Sequence, residues 1–296
     1  MPIGLEISES RAIAVVVGDG GEVRARAEAK AGGDSVAAAR TALDQLKSAG
    51  HEIADIALTS ASPEAPAIVT AAATLESDGV CSPGAPLVPA GAAAAVAENW
   101  VGAGRGVREL ALFAAAEHVS AGIVRGGVPV TGSRGRAASI AWLALNPVER
   151  EDYRKIGCLE AEAAAAGIVR RLVWRIKAGD HSRVQDAVGR DLNAISLDEV
   201  LAAARQGDGV SISVLRDTAK YLGMAAANLV AIADPETLVL GGVMASAADL
   251  FLEPVRIELA RRLPKLMMDA LLVVPATLGG DAPAIGAVRL ATAAVR

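Results

Sequence analysis

A duplicated α/β fold, divided between two domains, is what the sequence predicts. Three observations carry it: short strands joined by glycine turns at the start, a return of that strand pattern after residue 107, and a C-terminal stretch of helices enclosing two short apolar strands. The 296 residues are 52% hydrophobic and 21% charged, more apolar material than one compact core organises. Aromatics make up only 2%, so Ala, Val, Leu and Ile must build the core, and their small size lets elements approach closely.

"GLEIS", "AIAVVVG" and "EVRARAEAK" read as three strands, the last two joined by Asp19-Gly20-Gly21, which supply the positive φ of a hairpin turn. "DSVAAARTALDQLKSAG" is a helix with Asp34 and Ser35 as cap residues and Gly50 as its stop. "DIALTS" returns as a buried strand, and residues 76–90, rich in Gly and Pro, read as a loop. "GAAAAVAENWVG" is the next helix, and "AGRG" (Ala103 to Gly106) is the break between domains 1–106 and 107–296. "ELALFAAA", "AGIV" and "VPV" then repeat the strand meander in outline.

From Leu159 the pattern turns helical. "LEAEAAAAGIVRRLVWRIK" reads as one helix, with the arginines of "IVRRLVWRIK" on its solvated side. "SLDEVLAAARQG" opens with a Ser196/Glu199 capping box, and "VSISVLRDTAKYLGMAAANLVAIAD" is a long helix ended at Asp234-Pro235. "TLVLGG" is a buried strand running into a glycine turn, "SAADLFLEPVRIELARRL" a helix, "LLVVPA" a last core strand and "APAIGAVRLATAAV" the closing helix, expected to pack back on the N-terminal domain.

A net charge of −5 without basic runs argues against nucleic acid as a partner, because counterion release needs a clustered basic face. No apolar stretch is long enough without charge to cross a bilayer, so no membrane partner is expected. The two cysteines, Cys81 and Cys158, offer no disulfide framework, and the chain opens on a strand-like "PIGLEIS" rather than a leader. A cytoplasmic location is the expectation.

In order and spacing, "GLEISESRAIAVVVGDGGEVRARAEA", "VAENWVGAGRGVRELALF", "GCLEAEAAAAGIVRR", "ISVLRDTAKYLGMAAANLVAIADPETLVLGGVMASAADLFLEPVRIEL" and "VVPATLGGDAPAIGAVRLA" resemble the ROK family (repressors, open reading frames and sugar kinases) from end to end. The resemblance implies a duplicated actin-like ATPase (ribonuclease H-like) fold, two lobes with a cleft between them, and a homodimer.

The same resemblance places the family's functional positions. Its first phosphate loop, an Asp followed by Gly-Gly-Thr, falls on Glu6 and then Ser8-Glu9-Ser10: a carboxylate survives, and side chains replace the glycines. Its Asn-Asp pair, whose Asp takes the sugar hydroxyl's proton, falls on Pro89 and Ala90, so the general-base position holds a methyl group. Its second phosphate loop falls on residues 116–122, where Glu117 brings negative charge toward phosphate and His118 replaces glycine.

The sugar-recognition Glu and Gly-His pair become Ser139, Ala141 and Trp142. The three zinc cysteines become Glu151, Tyr153 and Cys158, too few N or S ligands for a tetrahedral centre, so no zinc is expected. Gly241 and Gly242 are the weak candidates for nucleotide contact, with a glycine-only turn as the competing reading. Ser8 and Ser10 bond phosphate or cap a turn; Trp142 fills the vacated sugar pocket.

The expectation is a catalytically degenerate ROK-like protein, a pseudokinase acting through ligand binding or assembly, with no cofactor. ATP with magnesium enters only under the alternatives. These are a divergent sugar or small-molecule kinase using Glu6 for metal, and a non-kinase enzyme using Glu117 and His118. A repressor is disfavoured because the first hairpin starts at residue 2.

Overall fold

The structure, a computed structural model, describes residues 1–294. In chain order it contains β1 (Ile3–Ile7), β2 (Arg11–Val17), β3 (Val23–Lys30), α1 (Ser35–Ser48), β4 (Ile56–Ser60), α2 (Pro66–Ser77), β5 (Leu87–Pro89) and α3 (Ala90–Trp100). Next come β6 (Glu109–Ala115), β7 (Val119–Arg125), β8 (Val128–Pro129), α4 (Glu151–Ile156), α5 (Cys158–Ala163), α6 (Ala165–Lys177), α7 (Arg183–Ala187), α8 (Leu197–Arg205) and α9 (Gly209–Ala233). The chain continues through β9 (Thr237–Gly242), α10 (Val243–Ser246), α11 (Ala248–Ala260), α12 (Lys265–Ala270), β10 (Leu272–Pro275) and α13 (Ala282–Ala294). One five-stranded sheet has the order β3-β2-β1-β4-β5 and a second the order β10-β9-β6-β7-β8.

The chain forms two compact units: Met1–Leu112 with Ser120–Ala138 and Ala276–Arg296, and Phe113–Val119 with Ser139–Pro275. In the first unit β1 pairs antiparallel with β2 (Leu5 opposite Ala14) and parallel with β4 (Leu5 opposite Leu58). Gly21, at φ +84°, turns the β2–β3 hairpin as its sequence demands. Asp34 caps α1 by accepting from the Ala37 N–H at 2.9 Å. Ile3, Leu5, Ile7, Leu58, Ile68 and Leu75 form the middle of this unit's core.

The closing helix α13 packs on α3 and on β1. It comes so close that a Cβ on Gly286 would sit 1.7 Å from the Ala93 carbonyl oxygen, a distance only glycine allows. Glu98, fully buried on α3, accepts from the Ala103, Thr277 and Leu278 N–H groups at 2.7, 2.9 and 2.9 Å, anchoring the chain just before α13. The last residue of the expected closing helix, Val295, lies outside the described residues.

In the second unit β9 and β10 run parallel, with Val239 opposite Val274. The 25-residue α9 is capped by Asp208 at its start and ends in a left-handed Asp234, and it packs against α5, α6, α8 and α11. The Ser196/Glu199 capping box forms as its spacing requires.

Four local readings are corrected. Residues 158–177 are two helices, not one: the chain breaks at Ala164 (ψ 160°), where the Ala165 N–H donates to the Ala116 carbonyl at 2.9 Å instead of continuing the helical ladder. Arg170 and Arg171 are not on a solvated face; their side chains are only 28% and 15% exposed and serve an ion cluster. The loop over residues 76–90 contains the last residues of α2 and the short parallel strand β5. Trp142 is 55% exposed on a 3₁₀ turn, so it is not buried filling.

Candidate functional site

In the first unit, β1 carries Glu6 on its rim and hands the chain to the tight turn Ser8–Ser10 before β2. Ser8 is 7% exposed and its hydroxyl folds back over this turn. Its Oγ accepts from the Arg11 N–H at 3.1 Å and the Ser10 N–H at 3.3 Å, and donates to the Arg11 carbonyl at 3.1 Å. The hydroxyls of Ser8 and Ser10 are 3.2 Å apart, and Ser35 donates to the Ser8 carbonyl at 2.8 Å.

The Ser10 and Arg11 N–H groups of this turn are thus bonded to the turn's own side chain. Glu9, beside them, accepts from the Ser62 hydroxyl at 3.0 and 3.1 Å. At the start of α3, Ala90 is buried and offers only a methyl group, preceded by Pro89 at the end of β5. A methyl group at residue 90 offers no proton acceptor.

In the second unit the turn between β6 and β7 is closed by the Ala116 N–H bonding the His118 carbonyl at 3.0 Å, with Glu117 at its tip. His118 Nδ1 lies 2.8 Å from Glu160 Oε1, and the Val119 N–H donates to Glu160 Oε2 at 2.8 Å. The structure therefore couples His118 to Glu160 on α5, a partner that sequence reasoning missed. A carboxylate two residues beyond Cys158 was the available signal.

Gly241 is buried at the end of β9, and Gly242 follows at φ +61°, ψ −136°. A Cβ at Gly242 would meet the Ala115 carbonyl oxygen at 2.0 Å, so the backbone packing alone demands glycine there. Ser139 and Trp142 share one exposed 3₁₀ turn.

Other contacts stand at the positions where the resemblance placed zinc ligands. Glu151 is exposed and pairs with Lys155 at 2.7 Å. Tyr153, Cys158 and Ala161 pack together as a small buried cluster. Above them Glu162, 3% exposed, accepts from the Tyr153 hydroxyl at 2.5 Å, from Arg171 Nη1 at 2.7 Å and from Arg150 Nη1 at 3.1 Å. Asp152 extends the cluster to Arg150 at 2.7 Å and Arg170 at 3.1 Å, and the Arg150 guanidinium lies over the Tyr153 and Trp174 rings at 4.9 and 5.2 Å.

Burial first, and then the hydrogen bond to Glu162, push the Tyr153 phenol well above its ordinary range, so it stays a neutral donor. One thiol, one exposed carboxylate and a committed phenol fall short of the four donors of a structural zinc centre.

A sequence profile of the ROK family matches residues 91–294. Glucokinase from Halalkalibacterium halodurans is 34% identical over 197 residues, which is 65% of this chain and 59% of that protein's length. Among solved structures, a ROK family glucokinase from Streptomyces griseus in complex with glucose and AMPPNP superposes with a TM-score of 0.83 at 24% identity, covering 99% of both chains. A ROK hexokinase from Thermus thermophilus gives 0.68 at 25% identity, covering 100% of this chain and 99% of that one. Among the described residues no helix is long and apolar enough to cross a membrane. Two five-stranded α/β sheets in this strand order are the actin-like ATPase architecture of sugar kinases, and the chain belongs to the ROK family.

Proposed function

We propose that this chain is a non-catalytic, sugar-kinase-like member of its family: a pseudokinase that works through binding or assembly, without zinc. The observation that carries the reading is the Ser8 hydroxyl seated on the Ser10 and Arg11 N–H groups, which spends the loop's anion-binding donors inside the loop. Ala90 at the general-base position supports it, since losing a positioned base costs about 10²- to 10⁴-fold in rate. The ion cluster around Glu162 supports the zinc-free half by occupying the rebuilt loop with arginines. Titration calorimetry with Mg-ATP, and a coupled assay over hexoses and N-acetyl amino sugars, test it. No turnover is expected, and ordinary turnover overturns the reading.

A second reading, a divergent kinase holding ATP and magnesium, is favoured by the 34% identity to a protein described as a glucokinase and by the carboxylate kept at Glu6. Under it, Glu6→Ala combined with Glu117→Ala abolishes an activity that the wild type possesses while leaving the melting temperature in place. A homodimer, as in family members, belongs to the same proposal.

A further inference from the structure

A pocket of about 570 Å³ opens in the first unit beside the C-terminal end of α3. Arg105, Arg108 and Arg289 line it together with Trp100 and Gly127, and no carboxylate of the described residues does. None of the three arginines has an ion-pair partner among the described residues. Many other arginines of this chain of net charge −5, among them Arg11, Arg26, Arg125, Arg150, Arg171 and Arg205, are paired with carboxylates, whereas these three meet at one pocket. Three uncompensated guanidiniums around one concavity make a local positive potential that an anion relieves.

The Arg289 side chain, and the backbone that carries Arg105 and Arg108, are also held in place before any ligand arrives. The Arg289 guanidinium stacks on the Trp100 ring with its centre 4.9 Å from the centroid. The Asn99 amide donates to the Val107 carbonyl at 2.6 Å and the Gly104 carbonyl at 3.2 Å, fixing the turn that carries Arg105 and Arg108. The Gly126 N–H donates to the Arg108 carbonyl at 2.7 Å, joining the β7–β8 turn to the same wall. Restraint of this kind lowers the ordering entropy paid on binding.

We propose that this pocket binds a small phosphorylated molecule whose phosphoryl oxygens are held by Arg105, Arg108 and Arg289. Planar guanidiniums match phosphate oxygens in bidentate fashion, and three positive charges suit a group carrying two or three negative ones. A volume near 570 Å³ lies in the range of small-ligand pockets, room for a sugar phosphate or a nucleoside diphosphate and not for a macromolecule. Its residues are distinct from Glu6, Ser8, Ser10, Glu117 and His118, so it does not depend on the non-catalytic reading.

Titration calorimetry of the full chain at low ionic strength, without magnesium, tests it with inorganic pyrophosphate, glucose 6-phosphate and ADP as probes. Glucose, adenosine and citrate are the controls. Pyrophosphate is expected to bind, with salt weakening the affinity, and Arg105→Ala and Arg289→Ala each to weaken it about tenfold or more. Of the other two probes, the tighter one identifies which organic portion the pocket takes. Arg105 sits on an exposed turn, so its variant keeps the fold if Arg289→Ala does not, and unliganded melting curves report this.

Failure of all three phosphate probes to bind at millimolar concentration overturns the proposal. So does citrate binding as well as pyrophosphate, or unchanged affinity in folded Arg105→Ala. Turnover of Mg-ATP would refute the non-catalytic reading and leave this one standing.

Discussion

Replacing Glu162 by Gln isolates what the ion cluster around it contributes. The substitution keeps the side-chain volume, so no cavity confuses the result. It removes the negative charge between Arg171 at 2.7 Å and Arg150 at 3.1 Å, and puts an amide donor against one of them. Breaking a buried ion pair from one side costs about 3–5 kcal/mol, because the remaining charge stays buried. Here Arg150 is 31% exposed and keeps Asp152 at 2.7 Å, so the lower end applies: about 3 kcal/mol. For a chain of 296 residues, at about 2.1 cal/mol/K of unfolding entropy per residue, that is a fall in Tm of about 5 °C. Calorimetric melting at neutral pH is the assay, with Tyr153→Phe beside it, expected to cost only about 1 kcal/mol for one hydroxyl. A drop of under about 2 °C for Glu162→Gln would mean the cluster is solvated in practice and does not hold the α4–α5 segment.

Two further outcomes follow from geometry already described. Asp208 is 5% exposed; burial pushes its carboxyl up, but hydrogen bonds from the Arg183 and Ser211 N–H groups and the Ser211 and Ser182 hydroxyls outweigh this and hold it below the ordinary range. Its stabilisation is therefore complete at neutral pH, fades once the unfolded chain takes up a proton near pH 4, and is gone below the folded-state pKa. Asp208→Ala should lower the melting temperature at pH 7 and flatten the acid limb of stability below about pH 4; an unchanged acid limb would refute this. Gly242→Ala should cost about 2 kcal/mol or more in urea denaturation, since its φ of +61° and the Ala115 carbonyl both exclude a Cβ. Gly280→Ala, with open space at its Cβ, is the control and should stay within about 0.5 kcal/mol.

What was legible in the sequence is what short-range chemistry decides. Asp19-Gly20-Gly21, the Asp34 cap and the Ser196/Glu199 box each specify a turn or helix end within three or four residues, and each formed where its spacing placed it. Readings failed where a distant group outbid the local pattern. The ladder from residue 158 to 177 looks unbroken until the Ala116 carbonyl, far away in the chain, captures the Ala165 N–H. Arg170 and Arg171 have the spacing of a solvated helix face, yet nine residues separate Arg171 from Glu162, too many for any i,i+4 rule to join them. His118 and Glu160, 42 residues apart, meet for the same reason.

The first phosphate-loop position lies between these cases. The sequence alone says that Ser8 and Glu9 are bulkier than glycine. Only the geometry shows that the Ser8 hydroxyl is seated on the Ser10 and Arg11 N–H groups. Bulk can be displaced by a modest shift of the chain, whereas donors already paired in a turn must first be unpaired, and an incoming phosphate has to repay those bonds before it gains any of its own.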